Sequence, residues 1–289
     1  MTRGMLKSKI MSNEKDIVSE GIRKVITELM DSVIKKVLVT DPFLPEKHHA
    51  KKPLYAALVP DEIFKGSHFE RRFVTPFGSA WERLANVVAE AHLGRSVLQA
   101  SIEGNILEGR LRRIQEVLNA EDHATKNKEK RKPDWKEDLA YVLEGDGNPI
   151  PVTVVCDLLA EDISTSKKYA FELKAPLPNS DQTKVSKEKM LKLMAMEEHP
   201  VEQAYFALVY NPYGERNKYG WSYPKKWFDF SKDESILIGD ELWNFLGGDG
   251  TYQKFIKEIN VLGAKYKEII YRDYLHIEPI EEAIKVNLK

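Results

Sequence analysis

The sequence has a single cysteine, Cys156, in 289 residues. That excludes an intramolecular disulfide framework and argues against a cysteine-based zinc site within one chain. An excess of one charge is missing too: 44 basic against 45 acidic residues leave a net charge of −1. Any surface for a polyanion must therefore come from local clustering. No uninterrupted apolar run is long enough to span a membrane. The basic start, Met1 to Ile10, has no apolar core of a signal peptide, and Met5 and Met11 offer alternative starts. Residues 1–11 are expected to be disordered. There is no internal repeat, and no Gly-rich cofactor loop after a strand. A reducing cytoplasm fits. Cys156 itself, in the run Val152-Thr153-Val154-Val155, reads as a small buried hydrophobe.

What is present is a 42% hydrophobic chain long enough to bury a sizeable core. Residues 12–289 read as one domain with helical additions at both ends. Helical spacing predicts helices over Ser12 to Val39, Leu107 to Leu118, Ser186 to Glu198, Asp240 to Leu246 and Thr251 to Lys267. Another follows Ser79, read as an N-cap with Glu82 completing a capping box. Glu46 to Thr75 shows little period. Strand signals fall at Pro151 to Leu159, Lys168 to Lys174, Gln203 to Tyr210 and Ser235 to Ile238. The order predicts an α/β fold, a mixed β-sheet flanked by helices on both sides. Glu121 to Lys136 is polar and Lys-rich, either a solvated loop or a phosphate-contacting segment.

One constellation carries chemistry. On a strand, Glu172 and Lys174 share a face, while Tyr169, Phe171 and Leu173 point into a core. Asp157 ends the preceding apolar strand, across a hairpin-length connector, and pairing can set it beside Glu172. Two carboxylates can hold Mg²⁺, and a nearby ammonium can orient a water for attack on a phosphodiester. The Glu-x-Lys tripeptide alone is weak, since with Glu and Lys at roughly 8% of residues each about one or two such matches arise by chance in a chain this long. Indeed Asp134-Trp135-Lys136 is a second match, set aside because no strand period surrounds it. The bland alternative is a structural Asp157 and a surface Glu172–Lys174 pair of little energetic worth.

Val154-Val155-Cys156-Asp157 followed by Phe171-Glu172-Leu173-Lys174-Ala175-Pro176 resembles the core of PD-(D/E)XK nucleases, with Cys156 where proline is usual. Together with Phe77-Gly78-Ser79-Ala80-Trp81-Glu82 and Tyr210-Asn211-Pro212-Tyr213, most of the chain is similar to the TdeIII-type type II restriction endonucleases. The resemblance implies a restriction-endonuclease-like core. It implies Mg²⁺-dependent cutting of double-stranded DNA at GGNCC by a homodimer. Asp157, Glu172 and the Leu173 carbonyl would bind the metal, and Lys174 would position the nucleophile. Two alternatives stay open: a repair or junction-resolving nuclease on the same fold, and a non-catalytic DNA-binding protein.

Further candidates are weaker. Glu82 could complete a metal site. Gln182, Lys184 and Lys187 follow the core motif, where phosphate contacts are often found. Arg216 and Lys218 are candidates for reading bases, with Arg71 and Arg72 behind them. Tyr213, Tyr219, Trp221 and Tyr223 read as a partly buried aromatic loop. The His48-His49 pair is read as a mobile loop rather than a metal site.

Overall fold

Alternating apolar residues draw the middle of the chain into a five-stranded mixed sheet. It is seen in a computed structural model that describes residues 3–123 and 132–279, with side chains from Ile17 onward. The strands are β1 (Gly94–Leu107), β2 (Pro149–Asp162), β3 (Lys167–Lys174), β4 (Gln203–Leu208) and β5 (Ile236–Ile238). They lie in chain order, the first three antiparallel, β3–β4 and β4–β5 parallel. The chain makes the parallel step from β3 to β4 through a helix, as parallel pairing requires. The fold is the expected α/β sheet with helices on both faces.

The helices are α1 (Arg3–Lys35), α2 (Pro45–Lys51), α3 (Pro53–Ala56), α4 (Asp61–Val74) and α5 (Phe77–Leu93), followed by α6 (Glu108–His123), α7 (Trp135–Leu143), α8 (Ser180–Ala195), α9 (Asp240–Gly247) and α10 (Thr251–Ile269). Several differ from expectation. The described helix α1 begins at Arg3, inside the stretch expected to be disordered. It continues as a π-helical turn, Lys36–Thr40, before Pro42. Glu46 to Thr75 is not irregular but three helices, and His48 and His49 sit on α2. Helix α5 starts at Phe77, so Ser79 lies inside it and donates to the Pro76 carbonyl. The capping box is therefore absent. Helix α8 starts earlier than expected, because Asn179 caps it by accepting from the Gln182 amide.

The chain divides into two compact units, one built on Ala85–Tyr252 and one on Ser19–Leu84 with the segment from Gln253. In the first unit both sheet faces are covered. One core gathers Ala100, Val154, Cys156, Ala170 and Phe206 with Ile114 of α6, Trp135 of α7 and Met190 of α8. On the other side Tyr169, Phe171 and Tyr205 pack on Phe245 of α9, at ring separations of 5.1, 5.9 and 5.2 Å. In the second unit Leu29, Val33 and Val37 of α1 meet Ala80 and Tyr274, and Arg23 grips Glu258 with two hydrogen bonds. No helix among the described residues is long and apolar enough to cross a membrane.

Candidate active site

Strands β2 and β3 are paired only as far as Leu158 and Phe171. One step further they would set Asp157 opposite Glu172. Across β1 the ladder also lacks a pair there, between Leu98–Leu158 and Ala100–Cys156. Gln99, in that gap, has a positive φ of 47°, a conformation that non-glycine residues adopt rarely. The sheet thus opens on both sides of Asp157. The Asp157 carboxylate takes up the freed hydrogen-bonding capacity. Its Oδ2 accepts from the Leu173 amide at 2.8 Å.

The same Oδ2 accepts from Lys174 Nζ at 2.8 Å, and that ammonium also donates to Glu172 Oε2 at 3.2 Å. One cation therefore sits between two carboxylates carried by neighbouring strands. The side chains are 13% exposed for Asp157, 2% for Glu172 and 19% for Lys174. A pair this buried is not the surface contact of the bland alternative. This sheet face is closed to solvent at Glu172. Glu172 lies beneath α8, where Ser186 Oγ donates to Oε2 at 3.1 Å and Lys189 Nζ to Oε1 at 2.9 Å. Burial raises the Glu172 pKa despite Lys174 and Lys189. Burial opposes the Lys174 charge, but Glu172 and Asp157 outweigh it and raise its pKa.

Lys189 and Ser186 were not identified from sequence. Their spacing of three on a helix places them on one face, and that helix is the β3–β4 crossover. Those two facts together are the signal that could have found them.

The other candidates separate. Lys187 is wholly buried, its ammonium bound by Glu121 at 2.5 Å, Asp138 at 2.7 Å and the Trp227 carbonyl at 2.7 Å. No phosphate can reach it, and the DNA-contact reading is corrected to a structural one. Arg216 is likewise committed, donating to the carbonyls of Phe230, Asp233 and Ile236 and to Glu241. Its guanidinium ties the loop after β4 to β5 and α9 rather than facing bases. Lys184 pairs with Asp122 at 3.1 Å over the Trp227 ring. Gln182 is exposed at the start of α8. Lys218 is exposed and pairs with Glu215. Of the aromatic loop, Tyr219 is buried and Tyr213 and Tyr223 are exposed. Glu82 belongs to the second unit. Asp134 caps α7 and Trp135 is buried, so the second Asp-x-Lys match opens a helix. Lys126, Lys128, Lys130 and Arg131 lie outside the described residues, so neither reading of that stretch is carried further. Cys156 is fully buried, and burial pushes its thiol up to about 12, far from nucleophilic use.

Among the described residues no three His, Cys, Asp or Glu side chains gather as a metal cluster. Asp157 and Glu172 do, however, already hold a cation between them. Oxygen donors of this kind suit a hard divalent ion that keeps several waters.

A family model for HinfI, a type II restriction endonuclease, matches residues 18–263. The chain belongs to this family. The HinfI-family assignment takes in both compact units and contains Asp157, Glu172 and Lys174. A relative is the type II restriction enzyme HgiCII of Herpetosiphon aurantiacus, 27% identical over 224 residues, which are 75% of this chain and 80% of that enzyme. No solved structure gives a significant match. Membership of the HinfI family makes the chain a site-specific endonuclease and favours restriction over the repair and non-catalytic alternatives.

Proposed function

We propose that this type II restriction endonuclease cuts double-stranded DNA through a PD-(D/E)XK centre made of Asp157, Glu172 and Lys174, with Mg²⁺ as cofactor. The observation that carries the reading is the Lys174 ammonium held between the Asp157 and Glu172 carboxylates. Asp157 and Glu172 would hold the metal, with the Leu173 carbonyl as a third oxygen. Bound there, Mg²⁺ would supply charge relief at the phosphate and a more acidic water.

The chain's own residues do the rest. Lys174, released from the carboxylates, offers its ammonium to the attacking water and to the charge that builds on the phosphate. Lys189 and Ser186 fix both oxygens of Glu172 from the α8 side. They act as positioning residues. Replacing Lys189 with Ala should lower kcat by roughly 10–100-fold, as losing a group that orients a ligand does. KM for a short duplex should barely move, and Lys189→Arg should recover much of the rate. Single-turnover cleavage would check this, and a change confined to KM would speak for DNA binding instead.

Cutting both strands of a symmetric site predicts a homodimer with one centre per subunit, the two related by a two-fold axis. Similarity to TdeIII-type enzymes suggests GGNCC as the site. Gln182, Lys184, Lys218 and Arg71 are the remaining candidates for contacts to DNA. Digestion of a mapped plasmid tests the reading. Discrete fragments with Mg²⁺ and none with chelator are expected. Cutting in chelator, or cutting confined to branched DNA, would overturn it.

A further inference from the structure

The second compact unit contains a cavity of about 280 Å³ between α2, α4 and the segment that follows the π-helical turn. Its base is aromatic. The His48 ring lies tilted against Phe64 at 4.0 Å between ring centroids, and Phe43 lies 5.7 Å from both His48 and His68. The lining contains no carboxylate. Arg72 is already committed, donating from Nε to Asp41 at 2.7 Å.

Lys47, Lys51, Lys52 and Arg71 are different. All four are exposed. None makes a side-chain hydrogen bond or ion pair among the described residues. The chain as a whole has nearly as many bases as acids, yet these four cations gather around one hollow. Four exposed cations thus face one hollow whose lining has no acidic side chain. His48 Nε2 is also buried at this site without a hydrogen-bond partner, which is costly unless something completes it.

We propose that this cavity is a phosphate-binding pocket that grips the backbone of duplex DNA. Spread, exposed ammonium and guanidinium heads match a run of phosphates better than one small acid. The aromatic base offers an apolar surface to a backbone sugar. The inference rests on the function proposed above and adds to it a contact surface supplied by α2 and α4.

The test is fluorescence anisotropy with a labelled duplex containing the plasmid cut site, in chelator, over a salt series. The variant carries Lys47→Gln, Lys51→Gln and Arg71→Gln. These side chains make no hydrogen bonds or ion pairs among the described residues, so its melting curve should match the parent's. Affinity should fall by about tenfold or more, and the slope of log Kd against log salt should drop by roughly one for each phosphate no longer neutralised. The fragments cut should stay the same. Arg71→Gln alone, with a smaller drop in the same direction, serves should the triple variant fold poorly. An unchanged slope with normal DNA binding by the parent overturns the pocket and leaves the proposed function standing. Titration with inorganic phosphate separates the sources. Tight phosphate binding by the parent with no change in duplex affinity in the variant would also overturn the proposal. A parent that binds no duplex would overturn both readings together.

Discussion

Replacing Asp157 with Asn should leave a folded protein that binds DNA and no longer cuts it. The amide can still accept from the Leu173 N–H, so the local hydrogen bond that closes the gap between β2 and β3 survives. What disappears is the negative charge facing Lys174 and the anionic oxygen for a metal. A fall in cleavage of about 10³-fold or more is expected, equivalent to roughly 4 kcal/mol of transition-state stabilisation. Asp157→Ala should lose cleavage equally but also melt lower, since an unpaired buried N–H costs about 1–3 kcal/mol. The two variants together separate chemistry from folding. Single-turnover rates and anisotropy on one duplex would measure the first, and thermal melts the second. Cleavage by Asp157→Asn within tenfold of the parent would remove Asp157 from the catalytic machinery.

The largest effect on stability is expected at Lys187. Its ammonium faces two buried carboxylates, Glu121 and Asp138. Removing one partner of such a network leaves uncompensated buried charge, at a cost of about 3–5 kcal/mol. Lys187→Met should therefore lower the Tm by roughly 10 °C, at about 2–4 °C per kcal/mol for a domain of this size. Its stability should recover partly as pH falls, because protonation removes the excess negative charge.

The parent carries a weaker form of the same dependence. Burial, reinforced by Asp138 and opposed by Lys187, raises the Glu121 pKa from 4.5 to about 8. Between those values the folded chain holds a proton that the unfolded chain has released. The stability from this group is complete below the ordinary carboxylate pKa and is lost as pH rises through about 8. Glu121→Gln should flatten that slope. Urea denaturation at pH 6, 7 and 8 would measure it, and an equal slope in the two proteins would show that Glu121 is ionised in the fold.

The features legible in the sequence were those that depend on local period. Alternation marks β3 and β-branched, apolar composition marks β2, and the spacing of Asp157 from Glu172 and Lys174 is enough to anticipate their meeting. Strand β1 went unseen although Ala100, Ile102 and Ile106 alternate, because Gly94, Gln99 and Gly104 interrupt the pattern. Two of those have a physical role that no period announces. Gly94 takes a φ of 101° at the strand start. At Gly104 a β-carbon would lie 2.7 Å from Glu198.

Charged residues were the main source of misreading. Lys187 and Arg216 looked like contacts to DNA because exposure is the default for their residue types. Their engagement is decided by partners elsewhere in the chain, Glu121 for Lys187 and Glu241 for Arg216. Lys189 was overlooked for the same reason, since its partner Glu172 lies on another element. The helices of Glu46 to Thr75 were masked by Pro45, Pro53 and Pro60, which in fact begin or precede the three helices, where proline is well tolerated.

The most direct test is to locate the cation. Crystals grown with Mn²⁺ and an uncleaved duplex give an anomalous signal that marks the metal without reference to the protein. The peak is expected between Asp157 and Glu172, with the Lys174 ammonium no longer bridging them. A peak elsewhere, with Lys174 still bound to both carboxylates, would contradict the assignment of this cluster as the catalytic centre.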